Sequence, residues 1–165
     1  MAFQGSLGEK KKKKEERITR QDELTGFHNR LYFRENYGDE ALFMTMRYKS
    51  VAVIDVDHFY ETCDGPEQDI VVKRIANLIR DHFGEKCEIF RWGENSFVAL
   101  LEWSMTFGFE LCRELCEKVE QDGMVTVSVG ITEVKLTDTI KKHYHRAMQG
   151  CYLVKEMGGN GVKRV

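Results

Sequence analysis

The chain has 165 residues, 42% of them hydrophobic and 32% charged, with a formal net charge of −2 at pH 7. That length suits one domain with a full core, and no apolar run approaches the ~18 residues of a membrane span. The opening "MAFQGSLG" lacks the apolar stretch and cleavage pattern of an export signal, so a cytoplasmic protein with five reduced cysteines is expected.

In chain order, residues 1–8 read as the remnant of a tag. Residues 9–21 form a basic leader, in which Glu9 to Arg20 holds seven basic and three acidic side chains. That is +4, and a total of −2 leaves −6 for the remainder. A nucleic-acid binder would spread its cations over the folded surface. Here the excess of cations lies in a solvated helical leader and the remainder is net acidic, so no nucleic-acid partner is expected. Residues 22–165 form the domain proper.

Within it, "NRLYFRENYGDEALFMTM" predicts a helix from Asn29 to Met46. The β-branched "SVAVIDV" predicts a buried strand from Ser50 to Val56. A helix follows, with Ile70, Val71, Ile75, Leu78, Ile79 and Phe83 on its apolar stripe. "CEIFRW" and "SFVALLEW" make a hairpin about the turn "GENS". "MTFGFELCRELCEKVEQ" is helical and stops near Gly123, "MVTVSVGITEV" alternates as a strand, and a last long helix closes at Gly158 and Gly159. The alternation implies an α/β (α+β) sheet covered by helices.

Several residues have the chemistry for a site. Asp55 and Asp57 flank Val56 at a strand end and point the same way on an extended chain. Paired carboxylates there seat Mg²⁺, which takes hard oxygen ligands; the alternative is two solvated acids in a loop. The hairpin turn offers one acid, Glu94, beside Asn95 and Ser96. Lys155 in the last turns of the final helix either reaches a phosphate or complements the helix dipole. Cys112 and Cys116 have helical i,i+4 spacing but no further ligand near in sequence, so they read as buried apolar residues. His143 and His145, two apart on a helix, do not share a face. No nucleophile elbow supports a hydrolase.

Five of these segments, in order, resemble the motifs of the GGDEF (diguanylate cyclase) family. "DELTGFHNRLYF" is similar to its opening signature, "VAVIDVDHF" to its Asp-x-Asp-x-Phe strand, and "FRWGENSFVALL" to the strand and turn bearing Arg-x-Gly-Gly-Asp/Glu-Glu-Phe. "VTVSVGIT" and "GCYLVKEMGGNGV" resemble the Ser-Ile-Gly strand and the closing Lys-containing motif. The resemblance runs from Asp22 to the C-terminus. It implies a palm-like nucleotidyl-cyclase fold with a central, mainly antiparallel sheet, and a family activity that joins two GTP into cyclic di-GMP across a dimer.

The resemblance also implies roles. Asp55 matches the metal-binding aspartate, with the Val56 carbonyl beside it, and so gives Mg²⁺ one anchor. Lys155 matches a lysine that contacts GTP phosphates, while its partner arginine is Gly159 here. The base-reading Asn falls near Cys63, and Asp69 matches the second base-reading acid. Glu94 replaces the second glycine, Asn95 the metal acid and Ser96 the catalytic glutamate. A one-residue slip would give Glu94 the metal role but break the match at Arg91 and Phe97. The inhibitory product site would fall on Gly84–Cys87, "GEKC", which has neither of its charges, so no product site is expected.

Three readings follow. The first is a degenerate GGDEF domain without cyclase activity, acting as a regulatory or interaction module, as a homodimer or with another signalling domain. The second is a cyclase with atypical ligands drawn from Asp55, Asp57 and Glu94. The third is a receptor for GTP or another nucleotide, held by Lys155.

Overall fold

The computed structural model describes residues 19–38 and 47–165. Most of the basic leader and residues 39–46 of the first predicted helix lie outside the described residues. Five strands form one sheet in the order β2-β3-β1-β4-β5, where β1 is Ser50–Val56, β2 Cys87–Arg91, β3 Ser96–Leu101, β4 Val127–Glu133 and β5 Gly161–Arg164. The first four pair antiparallel, and β5 alone joins β4 in parallel. The described helices are α1 (Arg30–Asn36), α2 (Phe59–Thr62), α3 (Pro66–Phe83), α4 (Met105–Asp122) and α5 (Ile140–Glu156).

The two-residue period of the strands sorts the core into two layers. Ala52, Ile54 and Val56 face Ile75, Ile79, Leu115 and Val119 of α3 and α4. Val51 and Val53 face the opposite way, onto a core with Phe33 of α1 and Ile140, Ala147 and Cys151 of α5. Three layers result: helix pair, sheet, helix pair.

Sequence and structure differ at particular places. The first helix ends at Asn36, and Tyr37 N–H bonds back to the Phe33 carbonyl. Asn29 caps its start, accepting from Tyr32 N–H at 3.0 Å. On α3 the buried stripe is Val71, Val72, Ile75, Ala76, Ile79 and Phe83, while Ile70 is 58% exposed. At 100° per residue, positions 71, 72, 75, 76 and 79 share one face and Ile70 falls off its edge. The short α2 and the strand β5 carry no periodic signal. β5 exists because β4 pairs with it through Ser128–Gly161 to Ile131–Arg164, a long-range match that a four-residue segment does not announce.

One glycine fixes how α5 lies. A Cβ at Gly130 in β4 would collide with the Ala147 carbonyl oxygen and sit 2.5 Å from Cys151 N. Only glycine lets the helix backbone press directly on the strand, and that contact sets where Lys155, near the end of α5, meets the sheet.

Candidate functional site

Asp55 is the second-to-last residue of β1, between two neighbours and opposite Ser96 of β3 and Ser128 of β4. The chain then turns through His58, a non-glycine residue at φ 52°, into the single turn α2. From the other side of the sheet, Gly158, Gly159 and Asn160 follow α5 with φ of 109°, 80° and 54°. Three successive left-handed residues reverse the chain so that Asn160 N–H donates to Asp57 Oδ2 at 2.8 Å. These elements enclose a cavity of about 260 Å³ lined by Val56, Asp57, Tyr60, Asn95, Lys155 and Gly159 among others.

Lys155 fills the centre of this acidic corner. Its Nζ lies 2.9 Å from Asp55 Oδ1, 3.2 Å from Asp57 Oδ1 and 3.2 Å from the Val56 carbonyl oxygen. Three acceptors thus meet the three donors of one ammonium. Asn95 adds a second donor: its Nδ2 lies 3.2 Å from Asp55 Oδ1 and 3.4 Å from the Val56 oxygen. Asp55 and the Val56 carbonyl, the ligands the resemblance implies for a metal, therefore face an ammonium and an amide N–H₂.

Asp57 is committed elsewhere. Its side chain is 3% exposed and accepts from Ser128 Oγ at 2.6 Å, Thr126 Oγ1 at 2.7 Å and Asn160 N–H. Burial penalises its charge, yet those hydrogen bonds and Lys155 together hold its pKa below the ordinary carboxylate range. Asp55 has fewer partners. For it burial is the largest effect, and despite Lys155 its pKa is held up. Burial opposes the Lys155 charge too, but two carboxylates outweigh it and its pKa is raised.

The remaining site residues sit around this lock. Glu94 projects from the turn and accepts from Tyr60 Oη at 2.6 Å, which lifts the phenol's pKa; the pair bridges the hairpin and α2. Ser96 Oγ lies where a Cβ on Gly93 would come within 2.8 Å of it. Arg91 ties the turn to the start of the domain: its guanidinium donates to the Gly93 and Glu94 carbonyls and pairs with Asp22 at 3.2 Å. Gly159 stands against Asp57, where a Cβ would lie 2.8 Å from Oδ2. Asp69 is exposed in the first turn of α3 and does not line the cavity. Cys63 is 3% exposed and packs into the core.

Sequence reasoning missed the residues that secure Asp57, namely Thr126, Ser128 and Asn160, and the Tyr60 partner of Glu94. The Ser in "TVSVG" was visible, but its role depends on strand register. Cys112 and Cys116 are buried, with burial pushing the Cys116 thiol up to about 12. His143 is fully buried and His145 exposed. Among the described residues no group of three or more His, Cys, Asp or Glu side chains could hold a metal ion, and no helix is long and apolar enough to cross a membrane.

The sequence matches the family model described as "Diguanylate cyclase, GGDEF domain" over residues 19–161. The chain belongs to the GGDEF family. This GGDEF domain is 24% identical over 152 residues to the diguanylate cyclase DgcS of Shewanella oneidensis, an alignment covering 86% of this chain and 51% of that protein. The chain thus spans about half the length of that relative. Its structure is similar to the GGDEF domain of DgcB from Caulobacter crescentus, solved in complex with c-di-GMP, with a TM-score of 0.79 and 23% identity over 90% of this chain and 96% of that one. It is also similar to the diguanylate cyclase SiaD of Pseudomonas aeruginosa, solved with its activator SiaC, with a TM-score of 0.79 and 24% identity over 88% of this chain and 61% of that one. At such identities the likeness establishes the palm-like fold. The GGDEF domain therefore has the mainly antiparallel, helix-flanked sheet that the motif order implies.

Proposed function

We propose that this chain is a degenerate GGDEF domain without diguanylate cyclase activity, working as a regulatory or interaction module in cyclic di-GMP signalling. One observation carries the reading: Lys155 and Asn95 place donors on Asp55 and the Val56 carbonyl, where the family's reaction needs a cation. Phosphoryl and nucleotidyl transfer rest on positioning and charge neutralisation, so a site that has supplied its own cation is poorly fitted to Mg²⁺. Of the two aspartates, Asp55 alone has lone pairs to spare, because Asp57 is saturated by Ser128, Thr126 and Asn160. Mg²⁺ at Asp55 would have to displace Lys155. Ser96 offers a hydroxyl in place of the catalytic acid, and Glu94 adds negative charge at the turn. Losing one stabilising group alone costs about 10²–10³ in rate.

The protein is incubated with GTP and Mg²⁺ or Mn²⁺ and the products are separated by chromatography. No cyclic di-GMP above a protein-free blank is expected; steady formation of it overturns the reading in favour of a cyclase with atypical ligands.

A second reading, a nucleotide receptor, is favoured by the position of Lys155 in the wall of the 260 Å³ cavity. Binding tolerates losses that catalysis does not. Thermal-shift titration with GTP tests it, and no shift at millimolar ligand rejects it. An interaction role agrees with SiaD, a similar protein solved with an activator; a homodimer or another signalling domain is the partner proposed here. The division into residues 1–8, a leader 9–21 and a domain 22–165 is part of the same proposal.

A further inference from the structure

On the α1–α5 face of the sheet, those two helices enclose a second cavity of about 320 Å³. Arg30 and Arg34 of α1 line it, as do Lys141, Tyr144 and His145 of α5 and Trp92 of the hairpin. The two arginines are i,i+4, and so are Lys141 and His145, so each helix stacks two cationic or protonatable groups on the face that looks into the cavity. Arg30, Arg34 and Lys141 have no carboxylate partner among the described residues, whereas Arg20, Arg47, Arg74, Arg91, Arg113 and Arg146 each have one. Like charges one turn apart weaken a helix, so an anion bound between these pairs would relieve that repulsion.

The floor of the cavity is aromatic. Trp92 and Tyr144 meet with ring centroids 4.8 Å apart, Phe33 packs edge-on against Trp92 at 4.9 Å, and the Arg30 guanidinium carbon stands 4.6 Å over the Trp92 ring. A planar cation stacked on indole offers its outer face to another flat ring. The cavity volume matches the lower end of small-ligand sites, about 300 Å³, and admits one ring system with one anionic group rather than a dinucleotide.

We propose that this cavity is a binding site for a nucleoside monophosphate, its base stacked on the Arg30–Trp92–Tyr144 surface and its phosphate held by Arg34 and Lys141. The site is separate from the acidic corner, shares no lining residue with it, and stands whether or not that corner binds GTP.

Trp92 and Trp103 are the two tryptophans of the chain, so a Trp103→Phe background makes emission report Trp92 alone. Titration with guanosine or adenosine 5′-monophosphate should quench it saturably. Arg34→Ala with Lys141→Ala, both at exposed positions, should weaken binding by about tenfold or more, equivalent to loss of a charge-assisted contact. Guanosine without phosphate should bind more weakly by a similar factor, and inorganic phosphate should leave the emission unquenched. Lys155→Met, shown to be folded at the assay temperature by circular dichroism, should leave the titration unchanged, since Lys155 lines only the other cavity. The proposal is overturned by any of three results, each in protein shown to be folded by circular dichroism: no saturable quench to about 10 mM ligand, equal affinity in the Arg34/Lys141 variant, or loss of the signal in Lys155→Met. Tighter binding of O-phosphotyrosine than of either nucleotide also overturns it, pointing to a modified peptide instead.

Discussion

Replacing Lys155 by methionine keeps most of the aliphatic stem and removes the charge that joins Asp55 to Asp57. At the observed 2.9 Å, a charge pair interacts by about 6 kcal/mol at an effective dielectric near 20. Much of that is offset by desolvating the ammonium, whose side chain is 26% exposed. Leaving a largely buried carboxylate unpaired costs about 3 kcal/mol net. For a domain of this size that lowers Tm by about 6–12 °C. The variant should also acquire a metal response. With the ammonium gone, Asp55 and the Val56 carbonyl are open to Mg²⁺, and 10 mM metal at a Kd of about 1 mM returns about 1.4 kcal/mol, or about 3–6 °C. Differential scanning fluorimetry of both proteins with and without MgCl₂ measures this. Two outcomes refute the reasoning: an unchanged Tm in metal-free Lys155→Met, or an equal Mg²⁺ shift in the parent protein. Either means that the ammonium is not the cation of this site.

Three further expectations follow from the same contacts. The double variant Asn95→Asp, Ser96→Glu puts a carboxylate where an amide now lies 3.2 Å from Asp55 Oδ1; it should melt lower than the parent without metal and gain Mg²⁺ stabilisation, yet yield no cyclic di-GMP by product chromatography while Glu94 and Gly159 remain. His143 is buried, accepts from Lys135 N–H at 2.8 Å and bonds the Thr139 carbonyl at 2.7 Å. Burial holds its pKa below the ordinary 6.5. The unfolded chain therefore binds the proton first, so stability is present above pH 6.5 and falls on acidification at up to about 1.4 kcal/mol per pH unit; urea melts between pH 7.5 and 5 should show this slope, reduced in His143→Gln. Gly130→Ala forces α5 off β4, at a cost of about 1–3 kcal/mol, and urea denaturation of the purified variant reads it directly.

The backbone elements were largely legible because they follow from local physics. Val51–Val56 alternate into two cores, and the α3 stripe repeats at 3.6 residues, so strand and helix could be assigned without knowing their neighbours. The motif order then identified the family. The errors fall where local pattern is silent: α2 is a single turn, β5 has four residues, and Ile70 lies at the margin of an amphipathic face.

The candidate site divides in the same way. Sequence alone established that Asp55, Asp57 and Lys155 are present, and that Asn95 and Ser96 stand in the hairpin where the resemblance implies acids. It could not tell whether Asp57 is a free ligand or a tied one, nor what Lys155 touches. Those answers rest on contacts such as Lys155 with Val56, 99 residues apart in the chain. Only the register of β1 between β3 and β4, and the seating of α5 on Gly130, place the ammonium among the acids and Ser128 against Asp57. Composition and periodicity record what each segment prefers by itself. Which charge neutralises which is decided by packing between segments, and in this molecule that packing places a lysine beside Asp55.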